Sequence, residues 1–135
     1  MVRMLLGRGY SFLKSIKESS RQKKLSVCLP KAKRVGAVLF KLSELGYIHS
    51  YEDRGGSWEL FLKYDENGKG LLDEIYVYPV SKNKFYTFSS VSFFKEKIPQ
   101  KSSVVILVTT EKGLKTHYEC RKDNIGGVKI CNITL

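Results

Sequence analysis

The chain alternates between stretches whose apolar residues recur at helical spacing and stretches with the pattern of a strand. From Val35 to Leu45 the apolar positions follow the helical period, and Gly46 stands where a C-cap glycine is expected. Trp58, Leu60, Leu62 and Tyr64 stand at every second position, which predicts a strand that carries these side chains on one face. Residues 104–108 form an unbroken β-branched and aliphatic run, which is typical of a strand buried on both faces.

Weaker patterns complete an α+β fold with two small subdomains. The first, residues 1–78, is an α-β-α-β-β half that begins with an amphipathic helix containing Phe12, Leu13 and Ile16. It adds strands at 25–29 and 47–52, a turn at 65–70 and an extended segment at 71–80. The second, residues 79–135, is expected to be mostly β, with strands at 85–88, 104–108 and 128–135 and a short helix near 91–97.

A hydroxyl-rich, basic turn follows the most apolar strand. Threonine hydroxyls both donate and accept hydrogen bonds, so they can meet base edges, 2′-hydroxyls or phosphate oxygens of folded RNA. Lysines seek phosphates, and a glycine lets the backbone turn and approach closely. The candidate binding residues of this turn are Thr109, Thr110, Lys112, Gly113, Lys115 and Thr116. An ordinary hairpin turn with solvated lysines has a similar composition, so the turn by itself leaves both interpretations open.

The distribution of charge favours a polyanionic partner. The 135 residues include 24 Lys and Arg against 13 Asp and Glu, a net charge of +11. Residues 1–34 hold ten basic residues and one acidic residue, whereas residues 35–110 are neutral. A localised basic surface is typical of a nucleic-acid-binding protein, because neutralising phosphates releases their counterions. An anionic membrane surface would attract the same charge.

Membrane-spanning, disulfide-stapled and enzymatic classes have little support. No apolar run approaches the roughly 18 to 20 residues that span a bilayer, and the three cysteines form no C-x-x-C pair, which indicates a reducing compartment. His117 and Cys120, on a turn that leads into a helix, lie three apart with Glu111 nearby, but such spacing is common by chance. A zinc site from His117, Cys120 and Cys131 lacks a fourth ligand. We therefore expect no catalysis, cofactor, metal or small-molecule substrate.

Several short motifs, in one order along nearly the whole chain, resemble the family of the eighth protein of the small ribosomal subunit. In the first half they are Val-x-Leu-Pro at residues 27–30, Glu-Leu-Gly-Tyr-Ile at 44–48 and Leu-Phe-Leu-Lys-Tyr at 60–64. In the second, Val-Thr-Thr-Glu-Lys-Gly-Leu-Lys-Thr at 108–116 is similar to the family signature Val-Ser-Thr-Ser-Lys-Gly-x-Met-Thr. Gly126-Gly127 and Ile130-Cys131 match the family's closing strand.

The resemblance implies a fold, a function and partners. It implies two small α/β subdomains, binding to the central domain of small-subunit rRNA, support of its assembly, and contacts with neighbouring small-subunit proteins. The family's Ser-Thr-Ser loop contacts rRNA, and the matching residues here are Thr109 and Thr110, with Lys112 and Gly113 beside them. A first rRNA-binding face would use Lys14, Lys17, Lys31, Lys33 and Tyr86, and a second would use residues 109–116.

Departures from the family pattern favour a divergent organellar ribosome. Glu111 places a carboxylate where the family has serine, and a carboxylate facing phosphates would be repelled. The family's basic Tyr-Lys-Arg segment is replaced by Tyr-Thr-Phe-Ser at residues 86–89, which keeps a stacking ring and loses charge. We expect a mitochondrial ribosome first, then a plastid or bacterial one. Residues 1–17 also resemble a mitochondrial transit peptide, although we favour a helix of the mature protein. The alternative function is a basic RNA-binding regulator or membrane-surface adaptor acting away from the ribosome.

Overall fold

The computed structural model describes residues 10–78, 88–89 and 103–134. They divide into an N-terminal unit, Tyr10–Glu74, and a C-terminal unit that begins at Ile75. Helices and strands mix in the first unit, and strands predominate in the second, so the predicted α+β class is confirmed. The predicted helix near 91–97, most of the strand at 85–88 and the first residues of the N-terminal helix lie outside the described residues.

The N-terminal unit has the predicted α-β-α-β-β order. Its elements are α1 (Phe12–Arg21), β1 (Ser26–Pro30), α2 (Lys33–Leu45), β2 (Ile48–Asp53) and β3 (Ser57–Leu62). The strands form an antiparallel sheet in the order β1-β3-β2. In this register Leu29 lies opposite Trp58, and Tyr51 opposite Leu60. A sheet of this kind must bury its apolar face against another element, and α1 and α2 both have buried apolar side chains that can cover it.

Gly46 ends α2 as the sequence predicted. Its φ of 83° lies in the left-handed region, which costs a residue with a side chain more than it costs glycine. The Gly46 N–H donates to the Ser43 carbonyl and the Tyr47 N–H to the Leu42 carbonyl, so the last carbonyls of the helix are satisfied. The chain then enters β2 at Ile48 with its side chain buried.

The predicted extended segment at 71–80 is wrong in its first part. Residues 71–74 form a turn, and the strand β4 covers only Tyr76–Val77. The cause is a set of hydrogen bonds that folds the chain back on α1: the Ser20 hydroxyl donates to Asp73 Oδ1 at 2.5 Å, and the Gly70 N–H donates to Asp73 Oδ2 at 3.1 Å. Ser20 and Asp73 lie 53 residues apart along the chain, so no local sequence pattern predicts the hydrogen bond between them.

The described residues of the C-terminal unit form a five-stranded antiparallel sheet and a short helix. After β4 come β5 (Phe88–Ser89), β6 (Val104–Thr110), β7 (Gly113–Thr116), α3 (His117–Asp123) and β8 (Gly127–Thr134). The order is β4-β8-β6-β7, and β5 also pairs with β8. Strand β6 is central, and the four residues 105–108 are all buried, so the predicted strand buried on both faces is confirmed.

Alanine substitutions at Gly46 and Gly56 test whether the left-handed conformation at the C-terminus of α2 requires glycine. We expect Gly46→Ala to destabilise the N-terminal unit by about 1 to 2 kcal/mol, because an added Cβ is strained at this φ although no atom lies within 4 Å of it. Gly56→Ala is the control, since its Cβ also meets nothing within 4 Å and its φ is not in the left-handed region. Urea denaturation followed by the fluorescence of Trp58, the one tryptophan of the chain, reports on this unit. Equal midpoints for the two variants would contradict the argument.

Candidate nucleic-acid interface

The hydroxyl-rich segment forms the β6–β7 hairpin. Thr110 pairs with Gly113 and Thr109 with Leu114, so Glu111 and Lys112 alone make the turn. Gly113 has a φ of 104°, which a residue with a side chain rarely adopts. Because β6 is buried over most of its length, it holds the hairpin on a rigid base.

The two threonines of the hairpin have different surroundings. The Thr110 hydroxyl donates to the Gly113 carbonyl at 2.7 Å and accepts from the Lys112 N–H at 3.1 Å, so it shapes the turn. Thr109 is half-buried, and its hydroxyl has no hydrogen bond to any described residue. Successive side chains of a strand point to opposite faces, so the two hydroxyls lie on opposite faces of the sheet. Unlike the Thr110 hydroxyl, the Thr109 hydroxyl is therefore not used by the turn itself.

Gly127 lets β8 approach the end of β6. A Cβ on Gly127 would lie 2.5 Å from the Thr109 carbonyl oxygen and 2.6 Å from Val108 Cγ1. Only glycine fits this close approach, which explains the second glycine of the Gly-Gly pair. The spacing of the backbone at Thr109 thus depends on a residue that the site prediction did not include.

Lysines 112 and 115 differ in their partners. Lys112 is exposed in the turn, next to the exposed Glu111. Lys115 Nζ lies 3.2 Å from Asp123 Oδ2, so this ammonium already pairs with the end of α3. Lys112 is therefore better placed than Lys115 to meet a phosphate without first losing an ion pair.

Thr116 begins α3 rather than facing solvent. Its hydroxyl accepts from the Glu119 N–H, and the Glu119 carboxylate accepts from the Thr116 N–H, which together make a capping box. The Thr116 residue is only 4% exposed. The signal for this cap is present in the sequence as Thr-x-x-Glu, and the sequence analysis missed it.

His117 joins α3 to β6 in the interior of the C-terminal unit. Its Nδ1 accepts from the Ile106 N–H at 3.0 Å, so the proton of the neutral ring is on Nε2. Nε2 is buried with no hydrogen-bond partner among the described residues. Burial, with a smaller contribution from Arg121, lowers the pKa of His117.

The imagined Cys-His nucleophile is poorly suited to chemistry. Cys120 is fully buried, and burial raises its pKa to about 11, so the reactive thiolate is disfavoured. The acceptor nitrogen of His117 is occupied by the backbone. Within the described ranges, no group of three or more His, Cys, Asp or Glu residues could hold a metal ion. No helix in the described part of the chain has the length and apolar character needed to cross a bilayer.

The lysines predicted for the first face lie in two places in the N-terminal unit. Lys14 is exposed and Lys17 half-buried, one helical turn apart on α1. Lys33 is exposed at the first residue of α2. Lys31 contacts Asp53 and Trp58. Tyr86 lies outside the described residues.

Lys31 covers the only tryptophan. Its Nζ lies 4.1 Å from the centre of the Trp58 ring and forms an ion pair with Asp53. The hydrogen bond from Lys31 is the main cause of a lowered pKa of Asp53. On the helix side, a Cβ on Gly36 would lie 3.1 Å from Trp58 Cζ2, so glycine lets α2 approach the ring closely. Lys31 therefore has a structural role whether or not it meets RNA.

The chain is a basic α+β protein with an exposed turn of Glu111 and Lys112 at the end of a buried strand, and neither His117 nor Cys120 is suited to catalysis. This is typical of a protein that binds a nucleic acid through its surface.

Comparison with known proteins identifies the family. The family model for ribosomal protein S8 matches residues 10–134, and the chain belongs to this family. Among its relatives, the small ribosomal subunit protein uS8 of Campylobacter hominis is 32% identical over 104 residues, 73% of this chain and 76% of the relative. The uS8 of Blochmanniella pennsylvanica is 29% identical over 129 residues, 90% and 92% of the two chains. That of the archaeon Thermoplasma volcanium is 29% identical over 120 residues, 85% and 88%.

Membership confirms the predicted family and its general function. The protein is a structural constituent of the small ribosomal subunit, in a family of structural proteins rather than enzymes.

The close approach at Gly127 gives a second prediction. We expect Gly127→Ala to destabilise the C-terminal unit by about 1 to 3 kcal/mol, because the added Cβ overlaps the Thr109 carbonyl oxygen, which can move only if the backbone of β6 moves. Far-UV circular dichroism during urea denaturation measures the loss, with Gly56→Ala as the control for adding a methyl group in open space. A Gly127→Ala protein as stable as the wild type would show that β8 need not approach β6 so closely.

His117 gives a prediction about pH. Because its pKa is lower in the folded protein than in the unfolded chain, the unfolded chain binds more protons, and stability is lost as the pH falls through about 6.5. We expect the denaturation midpoint to fall between pH 7.5 and pH 5.5 in the wild type and to fall less in His117→Gln.

The only other histidine, His49, is exposed on β2 and provides the matched control. His49→Gln should keep the pH dependence of the wild type. If His117→Gln kept it as well, the buried imidazole would not be its source.

Proposed function

We propose that this protein binds the central domain of small-subunit rRNA through the β6–β7 hairpin and supports assembly of the subunit there. The observation that carries the proposal is the Thr109 hydroxyl, which is held by a buried strand and has no partner among the described residues. A positioned hydroxyl can contact a base edge or a 2′-hydroxyl in folded RNA. Lys112, exposed in the adjacent turn, supplies charge for a phosphate.

The remaining hairpin residues would act by positioning these two groups. Thr110 and Gly113 set the shape of the turn, and their hydrogen bond leaves the Thr110 hydroxyl less available than that of Thr109. Thr116 and Lys115 attach the returning strand to α3, through the capping box and the pair with Asp123. The proposal thus assigns direct contacts to Thr109 and Lys112 and support to the other four candidates.

A second contact would come from the basic surface of the N-terminal unit. Lys14 and Lys17 on α1 and Lys33 at the start of α2 carry positive charge without an ion pair among the described residues. Such charges fix orientation on a phosphate backbone and carry no sequence information. Lys31 would contribute less, because contacting RNA would weaken its contacts with Asp53 and Trp58.

We further propose that the ribosome in question is mitochondrial. Support comes from the departures already described, above all the Glu111 carboxylate in the turn and the uncharged segment at 86–89. A remodelled rRNA would tolerate these changes. Cell fractionation tests the proposal: the protein should sediment with the small subunit of mitochondrial ribosomes, and recovery with plastid or bacterial-type cytoplasmic ribosomes would overturn it.

The first experiment compares binding to a central-domain fragment of small-subunit rRNA with binding to an unrelated hairpin of equal length, over a salt series. Preference for the fragment that survives high salt supports the proposal. Equal affinities that collapse together with salt would indicate only a basic surface. In that case the adaptor or regulator function gains support, and sedimentation with vesicles of anionic lipid would test it.

The two threonines of the hairpin provide a sharper test. We expect Thr109→Val, which removes the hydroxyl and keeps the shape, to weaken binding to the fragment by about 1 to 3 kcal/mol, as a lost specific contact does. Lys112→Ala should instead reduce the salt slope by about one, as a lost phosphate contact does. Thr134→Val, at the exposed far end of β8, is the matched control. Unchanged affinity of Thr109→Val would remove the hydroxyl from the interface.

A further inference from the structure

An exposed tyrosine stands at the edge of the C-terminal sheet. Tyr76 is 51% exposed, and among the described residues of the C-terminal unit it is the only large hydrophobic side chain with such exposure. It lies on β4, the strand at the end of the path β4-β8-β6-β7. Its ring has therefore lost conformational freedom on folding while about half of the residue stays exposed.

Tyr76 is held in place by a second tyrosine. The ring centres of Tyr76 and Tyr78 are 5.2 Å apart with the rings nearly perpendicular, at 88°. Tyr78 is anchored in turn: its hydroxyl donates to Asn132 Oδ1 at 2.6 Å, and its ring packs against the buried cluster of Ile106, Val108 and Cys120. Tyr78 therefore restrains the position of the exposed Tyr76 ring on the sheet.

A cation and an amide complete this cluster. Lys129 Nζ lies 4.8 Å from the centre of the Tyr78 ring. Asn132 lies opposite Tyr76 in the register of β4 and β8, so their side chains share one face of the sheet. An exposed aromatic ring on a paired strand can stack an unpaired base, and a lysine elsewhere in the same cluster adds positive charge that attracts the phosphate backbone.

We propose that Tyr76, whose ring packs against Tyr78, is a stacking site for an unpaired RNA base. The proposal rests on the RNA-binding function proposed above and adds a contact separate from the β6–β7 hairpin. The described neighbours favour RNA over an apolar protein surface, because they are a lysine, an amide and a phenol rather than further exposed apolar side chains. The acid nearest in sequence, Glu74, lies 3.9 Å from Lys69 in an ion pair.

The test measures binding of the full chain to the central-domain fragment of small-subunit rRNA. Affinities are compared at one salt concentration, and a salt series gives the salt slope of each variant. We expect Tyr76→Ala and Tyr76→Leu to weaken binding roughly 5- to 100-fold with an unchanged salt slope, which corresponds to the loss of one stacked base. Tyr76→Phe, which keeps the ring, should bind within about twofold of the wild type. Phe40→Ala, which removes another exposed aromatic ring in the other unit, is the control and should also stay within twofold.

Several outcomes would overturn the stacking site. The first is full affinity of Tyr76→Ala for the fragment, and the second is wild-type affinity of Tyr76→Leu. If Tyr76→Ala bound the fragment fully but was poorly incorporated into small subunits, Tyr76 would contact a neighbouring protein instead of a base. Equal melting temperatures of the four variants exclude unfolding as the cause of weak binding.

Failure of the proposed function can be told apart from failure of the stacking site. If the wild type shows no preference for the rRNA fragment, the same variants are measured on a single-stranded uridine decamer. A loss confined to Tyr76→Ala and Tyr76→Leu would then retain the stacking site without the rRNA assignment, and equal affinities would reject both.

Discussion

The approach of β8 to the end of β6 is the constraint on which the C-terminal unit depends. Strand β6 is buried on both faces, so its backbone groups need partners on both edges, and β8 and β7 supply them. Gly127 allows this pairing to continue as far as Thr109, since a side chain there would meet the Thr109 carbonyl. The position of the β6–β7 hairpin therefore follows from backbone packing, which also fixes where its threonine and lysine side chains begin.

Hydrogen bonding divides the conspicuous polar residues of this region into two roles. Thr110 and Thr116 satisfy the backbone, one in the turn and one at the start of α3, while the Thr109 hydroxyl stays available. His117 is also used internally, through the Ile106 N–H. A motif that looks uniform along the sequence thus contains one group suited to recognition beside several that hold it in place.

In the N-terminal unit too, a polar residue predicted to bind RNA has a structural role, here beside Trp58. The Trp58 ring lies close to Lys31 Nζ and to α2 at Gly36. A lysine that composition alone would assign to RNA thus contributes to the packing through its ammonium group. Under the proposed function, Lys14, Lys17 and Lys33 would meet the phosphate backbone of RNA, and Tyr76 in the other unit would add an aromatic group that charge counting does not detect.

The sequence by itself determined the class of fold, the central strand at 104–108, the helix ending at Gly46 and the family, because these depend on local periodicity and on motifs in a fixed order. Only the tertiary structure decided that residues 71–74 turn back toward Ser20, that Lys115 pairs with Asp123, and that Tyr76 is exposed beside Tyr78. Each of these depends on which side chain finds a partner in space. For Ser20 and Asp73 that partner lies 53 residues away along the chain, beyond the reach of any local pattern.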